Sequence, residues 1–153
     1  MDFSESVKKM WQDYHRLIGT SAPAEILADL FCNNEKEANE LAILVNKGIK
    51  RATAQSLWSI QKTGGQLPSV DGIFVVTDWD RNAVCIVKTT KVSIIPFNKI
   101  SEENAYREGE GDRTLQYWRR VHIKFYKEEF EKMGLIFNES MPIVFEEFEK
   151  VFP

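Results

Sequence analysis

The sequence predicts an α+β fold: a small mixed β-barrel flanked by helices at the N-terminus and before the last strands. Three observations carry that expectation. Apolar residues recur at spacings of three and four near both ends of the chain, two β-branched runs around a short turn mark a central hairpin, and an apolar, acid-rich segment closes the sequence. A chain of 153 residues with 43% hydrophobic content can fill one well-packed core and is short for two. One domain over residues 1–153 is expected, with residues 1–46 as a helical extension packed on the barrel.

From Ser4 to Ile18, Val7, Met10, Trp11, Tyr14, Leu17 and Ile18 form one face of an amphipathic helix capped by Ser4. Gly19 to Pro23 breaks it, and a short apolar piece from Ala24 to Phe31 leads to a second helix, Asn34 to Asn46, ended by Gly48. Thr53 to Ile60 is rich in small and hydroxyl residues and reads as an extended arm, with a short helix as the alternative. After the glycine-rich loop 62–72, Ile73 to Asp78 and Ala83 to Val92 make the hairpin, with Trp79 at its shoulder. Ser93 to Phe97 continues extended, and Lys99 to Arg107 forms a short helix. The last long helix, Thr114 to Met133, carries Leu115, Trp118, His122 and Phe125 on one stripe and stops at Gly134. Met141 to Phe152 is expected to close the barrel as a strand pair whose charges blunt outside pairing.

Composition excludes several classes. A net charge of -3 argues against coating duplex nucleic acid by bulk electrostatics, so any nucleic-acid contact must be local. Cys32 and Cys85 lie far apart without C-x-x-C spacing, which indicates reduced thiols rather than a zinc knuckle or disulfide framework. Two distant histidines add no ligand spacing, so neither metal nor cofactor is expected. No apolar run approaches a membrane span or an export signal, and a cytoplasmic location is expected.

Candidate chemistry gathers in two segments. Glu108-Gly109-Glu110-Gly111-Asp112-Arg113 sets carboxylates and a guanidinium on a glycine-hinged loop before a helix whose first N–H groups, near Asp112 and Thr114, can serve an anion or be capped locally. Lys50, two residues after Gly48 and beside Arg51, can point into a cleft or remain a solvated helix end. A carboxylate within reach of Lys50 can orient or deprotonate a partner, and a threonine hydroxyl such as Thr53 needs such activation to act as a nucleophile. Arg113 can grip a phosphate or carboxylate, whereas Arg119 and Arg120 read as surface residues. Trp118 and His122 can floor a base-binding pocket or belong to the core; Trp58, Trp79 and Tyr106 are further stacking candidates.

The segment Gly48-Ile49-Lys50-Arg51-Ala52-Thr53, taken with Glu108 to Thr114 and the run Leu115-Gln116-Tyr117-Trp118-Arg119-Arg120-Val121-His122, resembles the ASCH domain of bacterial proteins, a relative of the PUA fold. The G-x-K-x-x-T element and the E-G-E-G-D-R loop followed by L-x-x-W-x-x-x-H carry the resemblance, which covers the chain from about Met10 onward. It implies a PUA-like barrel and a cleft for single-stranded RNA or a modified nucleotide, lined by Arg51, Glu108, Asp112, Arg113, Thr114, Trp118 and His122. For one branch it implies removal of the acyl group from N4-acetylcytidine, with Lys50 as base or activator, Thr53 as nucleophile and Glu110, or Glu108, as the third member. Another branch is similar to RNA-cleaving or RNA-binding domains and would place Thr114 in the hydroxyl role. A partner-binding regulator of translation, without chemistry of its own, is the remaining expectation.

Overall fold

The first helix begins where Ser4 leaves helical geometry: its hydroxyl accepts from the Val7 N–H at 3.3 Å, and α1 runs Glu5–Ile18 to a left-handed Gly19. This computed structural model describes residues 3–153. Val7, Trp11 and Tyr14 of α1 are buried, but Leu17 and Ile18 at its C-terminal end are 71% and 51% exposed. The expected apolar piece contains β1 (Ala28–Asp29), and α2 (Glu35–Asn46) follows with Asn34 as its cap. Next come β2 (Ala52–Ser56) and α3 (Leu57–Thr63), so the expected extended arm is half strand and half helix. Ser56 divides them, its hydroxyl accepting from the Ser59 N–H and turning the chain.

The hairpin is β3 (Ile73–Thr77) with β4 (Ala83–Pro96), antiparallel as the sequence pattern indicates. β4 is one long strand through the segment 93–96, with register shifts against β5 near Val87 and Thr89. A 3-10 turn (Phe97–Lys99) and α4 (Glu102–Glu108) replace the single short helix expected there. α5 (Leu115–Met133) and β5 (Pro142–Phe152) complete the chain, β5 being one strand where a pair was expected.

The five strands form a mixed sheet in the order β1-β3-β4-β5-β2, antiparallel except for the parallel β1–β3 pair. The expected barrel does not close: among the described residues no pairing joins β1 to β2, and both are sheet edges. β1, only two residues long, offers few backbone groups for a further strand to pair with.

Strand alternation decides which helix covers which face. Val75 and Ile86 pack with Val7, Trp11 and Tyr14 of α1, while their neighbours Val76, Cys85 and Val87 pack with Ala42 and Val45 of α2. A third cluster joins Trp118, Tyr126 and Phe130 of α5 to Ala52, Ile143 and Phe145. At the β2 edge, α2 and α5 thus approach from opposite sides and leave a cleft between them, walled by both helices.

Candidate functional site

Lys50 is 2% exposed, an unusual fate for a lysine. Gly48 and the turn after α2 aim it inward: the Ile49 and Lys50 N–H groups both donate to the Leu44 carbonyl, and Arg51 N–H donates to the Arg107 carbonyl at 2.8 Å. Lys50 Nζ then donates to the Ala52 carbonyl at 2.7 Å, to Glu110 Oε2 at 3.1 Å and to Glu108 Oε1 at 3.4 Å. All three ammonium hydrogens therefore have acceptors. Burial works against the charge, but Glu110 and Glu108 outweigh it and hold Lys50 above the ordinary lysine range. The same ion pair, assisted by His122, overcomes the upward push of burial on Glu110 and holds it below the usual carboxylate range.

Glu108, 1% exposed, is fixed further by Trp118, whose indole N–H donates to Oε2. His122 stacks on that indole with centroids 4.1 Å apart and places Nε2 3.5 Å from the same carboxylate oxygen. Its Nδ1 is 2.8 Å from the Trp118 carbonyl. A carbonyl only accepts, so Nδ1 carries the hydrogen. Trp118 is thus both a core residue, 2% exposed, and a hydrogen-bond donor to the charged cluster.

The acidic loop meets Lys50 because Gly109 has no side chain. At φ +72 its missing Cβ would fall 2.4 Å from the Ile49 carbonyl oxygen and 3.0 Å from Lys50 Cα. Gly111, at φ +57, lies against the Tyr117 ring, 2.3 Å from where a Cβ would be. Both glycines thus admit a close approach, as the loop composition suggests, but what approaches is the chain itself. Arg113 joins the same two segments. Its guanidinium donates to the Tyr106 carbonyl at 3.0 and 3.1 Å and to the Ile49 carbonyl at 3.4 Å, and it lies 3.6 Å from the Tyr106 ring centroid.

Lys50, Thr53, Glu108, Glu110 and His122 line one cavity of about 420 Å³, whose walls include Phe31, Leu41 and Leu44 on one side and Tyr117, Val121 and Phe125 of α5 on the other. Glu37, Glu40, Lys124 and Glu128 form its exposed rim. The structure does not bring Arg51, Asp112, Arg113 or Thr114 to this lining. Arg51 is exposed. The Thr114 hydroxyl accepts from the Tyr117 N–H, and Asp112 accepts from the Thr114 N–H and hydroxyl, so these two residues satisfy the helix start. Arg113 is committed to carbonyls and cannot grip a ligand without releasing the loop.

Sequence reasoning did not single out Phe31, Tyr117, Val121 or Phe125 as cavity walls. A signal exists: Tyr117, Val121, Phe125 and Glu128 recur at spacings of four, four and three, a second stripe beside the core stripe of α5. Nor did histidine and cysteine spacing reveal that Glu108, Glu110 and His122 each offer a donor atom within 4.8 Å of the others. Such a grouping suits a divalent cation by distance. Here the Lys50 ammonium already bonds both carboxylates and supplies the positive charge.

Comparisons with known proteins agree on the class. A family model described as ASCH domain matches residues 27–152. The crystal structure of an ASCH domain from Lactobacillus crispatus JV V101 superposes with a TM-score of 0.90 at 33% identity, covering 100% of this chain and 98% of that one. Protein EF3133 from Enterococcus faecalis V583 superposes at 0.88 with 32% identity, covering 97% and 89%. No curated protein matches the chain. The fold, open at both sheet edges and carrying a buried lysine between two glutamates, is that of an α+β domain. This chain belongs to the ASCH domain family. Among its described residues no helix is long and apolar enough to cross a membrane.

Proposed function

We propose that the protein binds the base of a nucleoside, modified nucleotide or single-stranded RNA in the cleft between α2 and α5, acting in the cytoplasm. The observation that carries this reading is Lys50: a buried ammonium held by Glu108 and Glu110 at the end of a cavity of about 420 Å³ with Phe31, Tyr117 and Phe125 in its walls. Aromatic walls accept a flat ring, and fixed carboxylates accept ring or exocyclic N–H groups. The rim decides what stays outside. Glu37, Glu40 and Glu128 outnumber Lys124, so a phosphate is repelled from the mouth while an uncharged base enters. Isothermal titration with cytidine and N4-acetylcytidine tests the reading, and saturable binding lost in Lys50→Met is expected. Equal heats for both ligands in the wild type and Lys50→Met would remove it.

Amide hydrolysis is a second reading, favoured by the convergence of Lys50, Thr53 and Glu110 on one cavity. Because Lys50 is held charged, it serves as the group that stabilises an oxyanion rather than as the base, giving up its long 3.4 Å hydrogen bond to Glu108 to do so. Thr53 or a water would add to the acyl carbonyl as Glu110 accepts its proton, Glu110 would return that proton to the exocyclic nitrogen as the C–N bond breaks, and where Thr53 had added, a water would then hydrolyse the acyl-threonine ester. Chromatographic detection of cytidine released from N4-acetylcytidine checks this. Release should fall at least about 100-fold in Lys50→Met, the scale seen when one oxyanion donor is removed.

A further inference from the structure

We infer that a second subsite, built on Trp79 and Arg81 beside the cavity, takes the nucleotide flanking the bound base, so that the preferred ligand is an oligonucleotide rather than a free nucleoside. The inference rests on the base-binding reading above. A second hollow, of about 430 Å³, is lined by Leu30, Cys32, Asn33, Trp79 and Arg81. Cys32 and Asn33 also line the first cavity, so the two spaces share one wall and a chain leaving the first passes over it into the second.

The two spaces differ in charge. Five glutamates line the first, whereas the second has a guanidinium and no carboxylate among its lining residues. A phosphodiester excluded from the acidic rim therefore finds its cation one step further along. Arg81 is available for it: its ion pair with Asp29 is 3.6 Å long, with side chains 56% and 77% exposed, a contact that solvent leaves weak. A phosphate can replace it with bidentate hydrogen bonds. Trp79 is 38% exposed, yet its backbone N–H donates to Asn39 of α2 at 2.9 Å, which fixes the turn against the cavity wall. A partly exposed indole on an anchored turn is a stacking platform for a second base.

Binding of cytidine and of the dinucleotide cytidylyl-cytidine, measured by titration at matched ionic strength, tests the subsite. The dinucleotide should bind about 5- to 150-fold more tightly, the range for one stacked base. Trp79→Ala should bring that ratio close to one and Trp79→Phe should retain most of it. Arg81→Gln should lower the salt dependence of dinucleotide binding by about one phosphate contact. Equal affinities for the two ligands in the wild type would overturn the subsite while leaving the base pocket standing. Failure of both ligands to bind would overturn the two readings together.

Discussion

Glu110 and Glu146 are both withdrawn from solvent, the first partly and the second almost wholly, and they are stabilised in opposite ways. Glu110, with Glu108, faces a buried ammonium at the open edge of the sheet. Glu146 lies within β5, 5% exposed, and accepts a hydrogen bond from the Thr89 hydroxyl at 2.5 Å. Burial raises Glu146 above the usual carboxylate range, the Thr89 bond opposing it only in part. At Glu110 the lysine overcomes the same penalty and the group ends below that range. A cation held in place lets a domain keep charged groups in a dry cleft, whereas a hydroxyl alone lets it keep an acid that prefers its proton.

The largest effect should come from removing that cation. Lys50→Met leaves Glu108 and Glu110 facing each other without the ammonium between them, and urea unfolding should show a loss of about 3–5 kcal/mol at neutral pH. Adding Glu108→Gln to this variant should recover part of the loss, since one of the two charges then disappears. A loss below about 1 kcal/mol for the single variant would mean that water reaches the cluster and that the contrast with Glu146 is false.

Next in size is the glycine that lets the acidic loop reach Lys50. Gly109→Ala must strain a left-handed backbone, about 1–2 kcal/mol, and must also push a Cβ away from the Ile49 carbonyl. Gly134→Ala, at φ +70 with nothing within 4 Å, carries only the first cost. The first variant should therefore melt several degrees below the second. It should also weaken cytidine binding, because Glu108 and Glu110 shift relative to Lys50. Identical melting temperatures would show that the loop does not press on the Lys50 segment.

Much of this frame was legible before any coordinates. The 3.6-residue stripes placed α1, α2 and α5, and β-branched runs around Asp80-Arg81-Asn82 placed the hairpin. Lys50, Glu108, Glu110 and His122 were legible as site candidates, and the structure brings them to one cavity with Thr53. What sequence periodicity does not encode is where a long polar side chain finds its partner. Arg113 has the composition of an anion grip, yet the Tyr106 carbonyl in the last turn of α4 and the Ile49 carbonyl before Lys50 claim it. Asp112 and Thr114 serve the helix start because capping is satisfied locally. Barrel closure requires a pairing between β1 and β2, and a two-residue strand inside an apolar stretch gives no alternation from which to read one.

The smallest effect is the most discriminating, because the two carboxylates should respond to pH with opposite sign. Glu110, lowered on folding, contributes stability above the ordinary carboxylate range and loses it as pH falls through its folded value. Glu146, raised on folding, contributes most below that range and loses the contribution as pH rises through its folded value. Urea unfolding between pH 4 and pH 8 should therefore show Glu110→Gln losing ground to the wild type with increasing pH, and Glu146→Gln gaining it. Two curves of the same sign would mean that the ammonium at Lys50 is not what separates the cleft from the strand interior.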